Sequence, residues 1–461
     1  MNVPGTSSDQ PFYIQAPPEG DHAEAGVKQR VRVSNMYATP WHLADSHAVG
    51  DLQHYLRLWR FEQHYRLSAD QLPSVLYREA VDISALQFRR WADAATVIGA
   101  RIWLFRLPSG QIVASLSLDA QVELLDTIDL LEDCYFGDVC LGDQSLAEYT
   151  HALAVQLGAD GEADADFLPE RHQMVLGPTR PEEDCEDLLQ RLIYRTNLPF
   201  RKEYSTIRYP PELNRRPGWL AAVGPYVSVV CGHSDFIENA VFLSAVQAVA
   251  AAAQLRAIRQ AAYTDVRLFR NVEAAGGTTR DRRRVLERIA DHLGDLELEL
   301  SYSVEASGDL GLLVPSLRVE NFHNALYESM SLASKAVTAG RMLERLARAI
   351  DAELTAIESI ERRADDNRRI RYAVAVGFVS AVAIPASLIL AYLGINASQV
   401  SSARSMFSHH YLGMYLTVAG LIIAAVLLSA GLWLQQRRDA RHHRSASQHP
   451  RWTMAPDDFQ I

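Results

Sequence analysis

The chain is poor in the features that would place it in a common class. It has four cysteines in 461 residues, Cys134, Cys140, Cys185 and Cys231, and no CxxC spacing among them. That argues against a disulfide framework or a zinc ribbon and fits unpaired thiols in a reducing cytosol. No Walker loop, no GxGxxG after a strand, no HExxH and no nucleophile triad spacing occurs, so nothing in the chain marks an enzyme. The opening MNVPGTSSDQPFYIQAPPEG is polar and Pro/Gly-rich, without the apolar segment of a signal peptide. The absence that matters most is of charge. Residues 372–393 (YAVAVGFVSAVAIPASLILAYL) and 411–434 (YLGMYLTVAGLIIAAVLLSAGLWL) contain no charged side chain.

Each of these stretches is long enough to cross a bilayer core, which takes about 20 apolar residues in a helix. The flanks set the expected orientation. Arg362, Arg363, Arg368, Arg369 and Arg371 precede the first stretch, and Arg437, Arg438, Arg441 and Arg444 follow the second. The loop between them carries one formal charge, Arg404. Basic residues stay on the cytoplasmic side, so both termini are expected inside and the loop outside, in a multi-pass protein of the plasma (inner) membrane.

Charge is divided unevenly. From Glu361 onward the net is +5, so residues 1–360 hold −16 of the total −11. An acidic soluble body argues against nucleic acid as a partner and suits one that gathers cations.

Composition and periodicity divide the chain further. Residues 1–40 read as a flexible leader. A cytosolic α+β (α/β) domain is expected over 41–233, beginning with an amphipathic pattern at Leu52, Leu56, Leu58 and Trp59. Within it, runs at 100–107 and 111–118 joined by Pro108-Ser109-Gly110 predict a β-hairpin. Further strands are expected at 201–209 and 219–231. A helical hairpin follows over 234–315, capped by Ser234 or Asp235 and turning at Gly276-Gly277-Thr278-Thr279. A stalk helix is expected over 316–371, since no proline occurs between Pro315 and Pro385. Leu343, Leu346, Ile350, Leu354, Ile357 and Ile360 give it one apolar stripe. Unbroken from 316 to 393 it would be about 115 Å long and would need neighbours, most economically copies of itself. A break at Gly340 is the alternative. Transmembrane helices at 372–394 and 411–434, an external loop at 395–410 and a basic cytosolic tail at 435–461 complete the order.

The first apolar stretch reads Pro385-Ala386-Ser387-Leu388-Ile389-Leu390-Ala391-Tyr392-Leu393-Gly394-Ile395-Asn396. Proline, then a hydroxyl residue, then an apolar run into Gly-x-Asn, followed by a short loop and one more apolar stretch, resembles the CorA/Mrs2/Alr1 family of two-transmembrane GxN divalent-cation transporters. The resemblance covers the C-terminal third by motif and the soluble part by order and length alone. It implies a CorA-like fold, with a cytosolic α/β domain, a long stalk helix and a two-helix transmembrane hairpin. It also implies a homopentamer in which the first membrane helix lines the pore, and basic residues at the inner mouth, here Arg437, Arg438 and Arg441. The tripeptide is GIN where GMN is usual, as in ZntB-type relatives. The loop 397–410 has no Asp or Glu, where magnesium channels of the family offer acids.

The chemistry of a pore suits these residues. Hard dications shed water reluctantly, and a ring of neutral Asn396 amides could hold the hydrated ion without trapping it. Gly394 would allow a tight turn there. Alone, Asn396 would read as a helix C-cap. Inward from it, Ser387, Ile384, Ser380, Gly377, Ala373 and Ile370 fall on one helical face, a small and mildly polar stripe with apolar constrictions. Such a stripe also suits helix–helix packing. Acids on the stalk, among them Asp351, Glu358, Asp365 and Asp366, are candidates for regulatory cation sites between subunits, or simply a solvated face. His409-His410 and His442-His443 lack the third ligand that zinc needs.

The expected function is a membrane channel or transporter for divalent cations, magnesium or a relative, with no permanently bound cofactor. The cation (Mg2+, Zn2+, Co2+ or Ni2+) would be substrate and regulator. Two alternatives stand beside it. One is a zinc or transition-metal transporter of the same fold. The other is an effector whose soluble domain binds a small ligand and then permeabilises the membrane.

Overall fold

The computed structural model describes residues 28–43, 56, 73–91, 96–160, 163–180, 185–198, 213, 218–274, 279–305, 316–395 and 409, and scattered helical positions between 412 and 431. The chain divides into two compact units, 1–351 and 352–461.

The first unit is built on a mixed seven-stranded sheet. Its strands are β1 (Gln29–His42), β2 (Ser74–Ala80), β4 (Val97–Arg106), β5 (Gln111–Val122), β8 (Arg171–Gly177), β9 (Leu220–Val223) and β10 (Val227–Cys231), in the order β2-β4-β5-β1-β8-β10-β9. All pairs are antiparallel except β8 with β10. A small second sheet joins β3 (Leu86–Phe88), β6 (Val139–Leu141) and β7 (Gln144–Ser145).

The predicted hairpin is present as β4 and β5, and Gly110 at its turn has φ +82°, which glycine adopts without strain. The run at 219–231 forms β9 and β10. The strand expected at 201–209 and most of the amphipathic pattern after residue 50 lie outside the described residues. Leu56 of that pattern is buried, and its carbonyl accepts from Asn239 Nδ2 at 2.9 Å.

The leader needs correction. Residues 29–42 are no flexible lead-in but β1, the middle strand of the sheet. Its alternation is plain in retrospect, with Val31, Val33, Asn35, Tyr37 and Thr39 on one face and Arg30, Arg32, Ser34 and Met36 on the other. Pro40 hides it, because a proline argues against a central strand. The sheet tolerates Pro40 where the β1–β5 register shifts, between Ala38 and His42.

The two faces of the sheet differ. Register partners share a face, so Val33, Leu118, Ile102, Val175 and Val229 line one side. That side forms the main apolar core with Ile128, Leu130 and Leu131 of α1 (Thr127–Phe136) and Leu189, Leu192 and Ile193 of α3 (Cys185–Tyr194). Helix α2 (Leu146–Gln156) adds Ala154 to a smaller cluster around Trp41, Leu104 and Ile112. A full capping box starts α2, with Ser145 and Glu148 each satisfying the other's backbone.

The opposite face carries Arg32, Ser34, Asp119, Ser117, Ser115, Arg101, His172 and Ser228. Helix α4 (Asp235–Ala274) packs on it, with Phe242 against Trp103 and Phe105 at 6.0 and 5.7 Å between ring centroids. Among the described residues one helical segment is long and apolar enough to cross a membrane, Asp235–Asn271 within α4, and 83% of its most apolar window is buried in the unit.

Helix α5 (Thr279–Glu299) runs into one wider turn over Leu300–Glu305. It packs through Leu286, Ile289, Leu293 and Leu296, and His292 Nδ1 meets Asp265 Oδ2 of α4 at 2.8 Å. The two helices run for 40 and 21 residues, and the turn expected at Gly276-Gly277-Thr278 lies outside the described residues.

The stalk begins differently from expectation. It is two helices, α6 (Leu317–Ser329) and α7 (Leu332–Ile395). The break lies at Met330-Ser331, not Gly340: Ser331 has φ +57°, and its N–H bonds to the carbonyl of Glu328. Gly340 sits within α7, where a Cβ would meet Leu300 Cδ2 at an ordinary 3.6 Å. The apolar stripe is real. Leu343, Leu346, Ile350 and Ile357 are buried, while Ile360 is exposed.

Candidate functional site

The expected pore residues occupy the C-terminal part of α7. Ile370, Ala373, Gly377, Ser380, Ile384 and Ser387 follow steps of three and four along one continuous helix. Pro385 lies inside α7 without ending it, although it removes a backbone donor and crowds the carbonyl one turn earlier. Ser387 Oγ donates to the Ile384 carbonyl at 2.9 Å, a polar contact made within the helix itself.

None of the described side chains between 371 and 387 is buried. Val376 and Val379 are each 64% exposed and Ile384 58%, although elsewhere in the chain residues of this kind form the core. Gly377 adds a sharper observation. A Cβ placed there would touch nothing within 4 Å. Glycine costs about 1 kcal/mol relative to alanine inside a helix, and no contact among the described residues requires its smallness.

Gly394 and Ile395 are the last two residues of α7. The turn expected at Gly394 is therefore displaced, because the helix runs through it. Asn396, Arg437, Arg438 and Arg441 lie outside the described residues.

The stalk acids are not gathered. Asp351, Asp365 and Asp366 are exposed and Glu358 half-buried along α7. Asp351, Glu358 and Asp365 repeat every seven residues, about 10.5 Å apart along a helix, too far to share an ion within one chain. Glu358 pairs with Arg362 at 3.1 Å and Asp365 with Arg368 at 3.8 Å, exposed pairs of small energetic weight. Among the described residues no group of three His, Cys, Asp or Glu side chains could hold a metal. His409 is exposed.

The first unit carries charged groups that sequence reading passed over. On the face beneath α4, Asp119 accepts from Arg32 Nε at 2.8 Å and from Arg30 Nη2 at 2.9 Å. Glu238, in the first turn of α4, is 3% exposed, and its Oε2 has no hydrogen-bond partner. Burial pushes its carboxyl up to about 7, against the pull of Arg32 and with the push of Asp235 and Asp119. Burial, then the neighbouring Arg78 and Arg32, bring the Arg101 guanidinium down to about 10. His172 Nε2 lies 2.8 Å from Ser228 Oγ, and complete burial lowers the ring to about 4. This pair is sealed between sheet and helix, so it holds the fold rather than reacting. Cys134 and Cys140 are free thiols, and burial raises that of Cys134 far above its ordinary value.

No family model, no characterised protein and no solved structure matches this chain. Its functional reading rests on its own residues.

Proposed function

We propose that the protein is a homo-oligomeric, membrane-spanning channel or transporter for divalent cations of the CorA-like kind. Residues 372–393 and 411–434 cross the bilayer, and the 372–393 segment lines a central path. One observation carries this reading most: in the long uncharged part of α7 none of the described side chains from 372 to 387 is buried, and among the described residues nothing lies within 4 Å of a Cβ placed at Gly377. Lipid would cover Val376 and Val379. A second copy, approaching along the Gly377 stripe, would account for the glycine.

In such an assembly Ile370 and Ile384 form apolar rings that hinder water, and Ser380 and Ser387 supply polar steps between them. Asn396 presents amides at the outer end, where each accepts a hydrogen bond from an ion's water shell. Stalk acids spaced about 10.5 Å apart on one chain could bridge to neighbouring chains as regulatory sites. A dication moving inward gains about 4.6 kcal/mol per 100 mV, so no nucleotide is needed to drive it. Arg404 in the acid-free loop favours a second reading, a ligand-gated effector of the same build that permeabilises the membrane.

Reconstituted protein tested for flux of Mg2+, Co2+, Ni2+ and Zn2+ separates these readings. Selective, saturable dication flux supports the transporter; leakage of unrelated solutes supports the effector. Asn396→Ala is expected to lower or deregulate dication flux at least tenfold with assembly intact. Unchanged flux would remove Asn396 from the path.

A further inference from the structure

The apolar face of the sheet changes character at one end. Tyr37 and Arg171 are register partners, as are Asn35 and Gln173, so all four lie on the face that also holds Val33 and Val175. Gln173 is buried, donates to Asn35 Oδ1 at 2.6 Å and to the Leu131 carbonyl at 2.8 Å, and accepts from Arg195 Nη1 at 3.3 Å. This polar chain leads from the middle of the core to the surface. Arg195 ends it, just past α3, with φ +52°. Glycine is the usual occupant of that conformation, so an arginine is retained there against a backbone cost.

The arginine side chain is tightly placed. Its guanidinium carbon stacks 3.5 Å from the centroid of the Tyr135 ring, and its Nε lies 3.3 Å from Glu132. Arg90 shares Glu132 at 2.9 Å and sits 5.6 Å from the Phe136 ring. Arg171 lies 5.2 Å from the Tyr135 ring and donates to the Tyr135 carbonyl, which the negative end of α1 favours. Its remaining donors meet no acceptor among the described residues. Tyr226 packs edge-on against Tyr135 at 5.8 Å, and both Tyr226 and Phe136 are at least half exposed. The nearby Asp133 is buried and committed to the backbone N–H groups of Arg90 and Trp91.

We propose that this corner binds a planar anionic ligand of the nucleoside-phosphate class. An exposed aromatic ring offers a base a stacking surface, and a guanidinium with spare donors offers a phosphate a paired contact. Tyr226 and Phe136 supply the first and Arg171 and Arg90 the second. Arg195 is a positioning residue: it locks the Tyr135 ring on which both Arg171 and Tyr226 rest.

The test is calorimetric titration of the full chain in detergent with ATP, AMP, adenosine and inorganic phosphate. AMP or ATP is expected to bind at least tenfold more tightly than adenosine or phosphate, each of which engages half of the site. Arg171→Ala and Tyr226→Ala should each weaken AMP binding tenfold or more, and Arg89→Ala, on a side chain 74% exposed nearby, should not. Tyr226 lies in an exposed turn, so its variant carries the test if Arg171→Ala fails to fold. No binding of any nucleotide at millimolar concentration, or AMP affinity unchanged in the folded variants, overturns the proposal. Equal affinity for AMP and inorganic phosphate overturns the role of the rings. The readout is binding rather than ion flux, so its outcome is independent of the transport reading.

Discussion

Helix α4 and the C-terminal part of α7 are both long and apolar, yet the first is largely buried in its own unit and the second has no buried side chain among those described from 372 to 387. In α4, Ala245, Ala248 and Val249 are fully buried. In α7, Val376 and Val379 are each 64% exposed. Length and apolarity therefore do not decide whether a helix is a core element or a span. What decides is whether the rest of the fold offers it a surface. The sheet has one face left over once α1 and α3 cover the other, and α4 takes it. Charge sorts the two helices as well: α4 carries Asp235, Glu238, Arg256 and Asp265, which find partners or partial burial in protein, whereas 372–393 carries none.

The sharpest way to break this comparison is to place one charge in each helix. Val249→Asp buries an unpaired carboxylate and should cost about 4 kcal/mol or more, leaving little folded protein in a thermal melt. Val379→Asp should leave the melting of the first unit unchanged but oppose bilayer insertion by about 3 kcal/mol, read by extraction from membranes. If Val379→Asp destabilised the first unit instead, the bare helix would be a hidden core element.

A smaller effect should come from Glu238 at the start of α4. Its folded carboxyl titrates at about 7 rather than the ordinary 4.5, because burial disfavours its charge. Ionisation then penalises the folded state, so stability falls as pH rises from about 4.5 to about 7 and levels off above. Glu238→Gln should flatten that slope and raise stability at pH 8 by roughly 2 kcal/mol, measured by urea unfolding across pH. The groups facing Glu238 are Arg32 of β1, Asp119 of β5 and Asp235 of its own helix. An unchanged slope would mean that its carboxylate finds solvent.

Gly377→Leu tests the bare helix by bulk rather than charge. With nothing among the described residues within 4 Å of a Cβ there, the substitution should leave the monomer's melting intact. It should weaken assembly about tenfold, roughly 1.4 kcal/mol, in detergent sedimentation. The smallest effect is expected at the α6–α7 break. Ser331→Gly removes a left-handed strain at φ +57° and should stabilise the fold by about 0.5–1 kcal/mol. Destabilisation would mean that the serine side chain holds the break.

Parts of this were legible and parts were not, for identifiable reasons. The β4–β5 hairpin, α4 and α5 follow from local pattern, since alternation, turn residues and helical period are written in consecutive positions. β1 was obscured by Pro40, whose tolerance depends on a register shift with β5, more than 70 residues away. The α6–α7 break has neither glycine nor proline to announce it; its residues Met330 and Ser331 are ordinary, and Leu326 and Leu332 on either side of the left-handed turn are both buried. The Arg171–Arg195–Tyr135 corner joins residues 36 and 60 positions apart, drawn from β8, the end of α3 and α1, which no local pattern brings together.

The sequence by itself determined where the apolar segments lie, which of them carry no charge, and the Gly394-Ile395-Asn396 setting that suggests an ion path. These are properties of consecutive residues and need no partner to exist. Only the tertiary structure decided that α4 is core, that residues 29–42 form the middle of the sheet, and that Arg171 and Arg195 meet on the Tyr135 ring. Each of those depends on which surface is left to cover another, a question that long-range pairing answers and local pattern cannot.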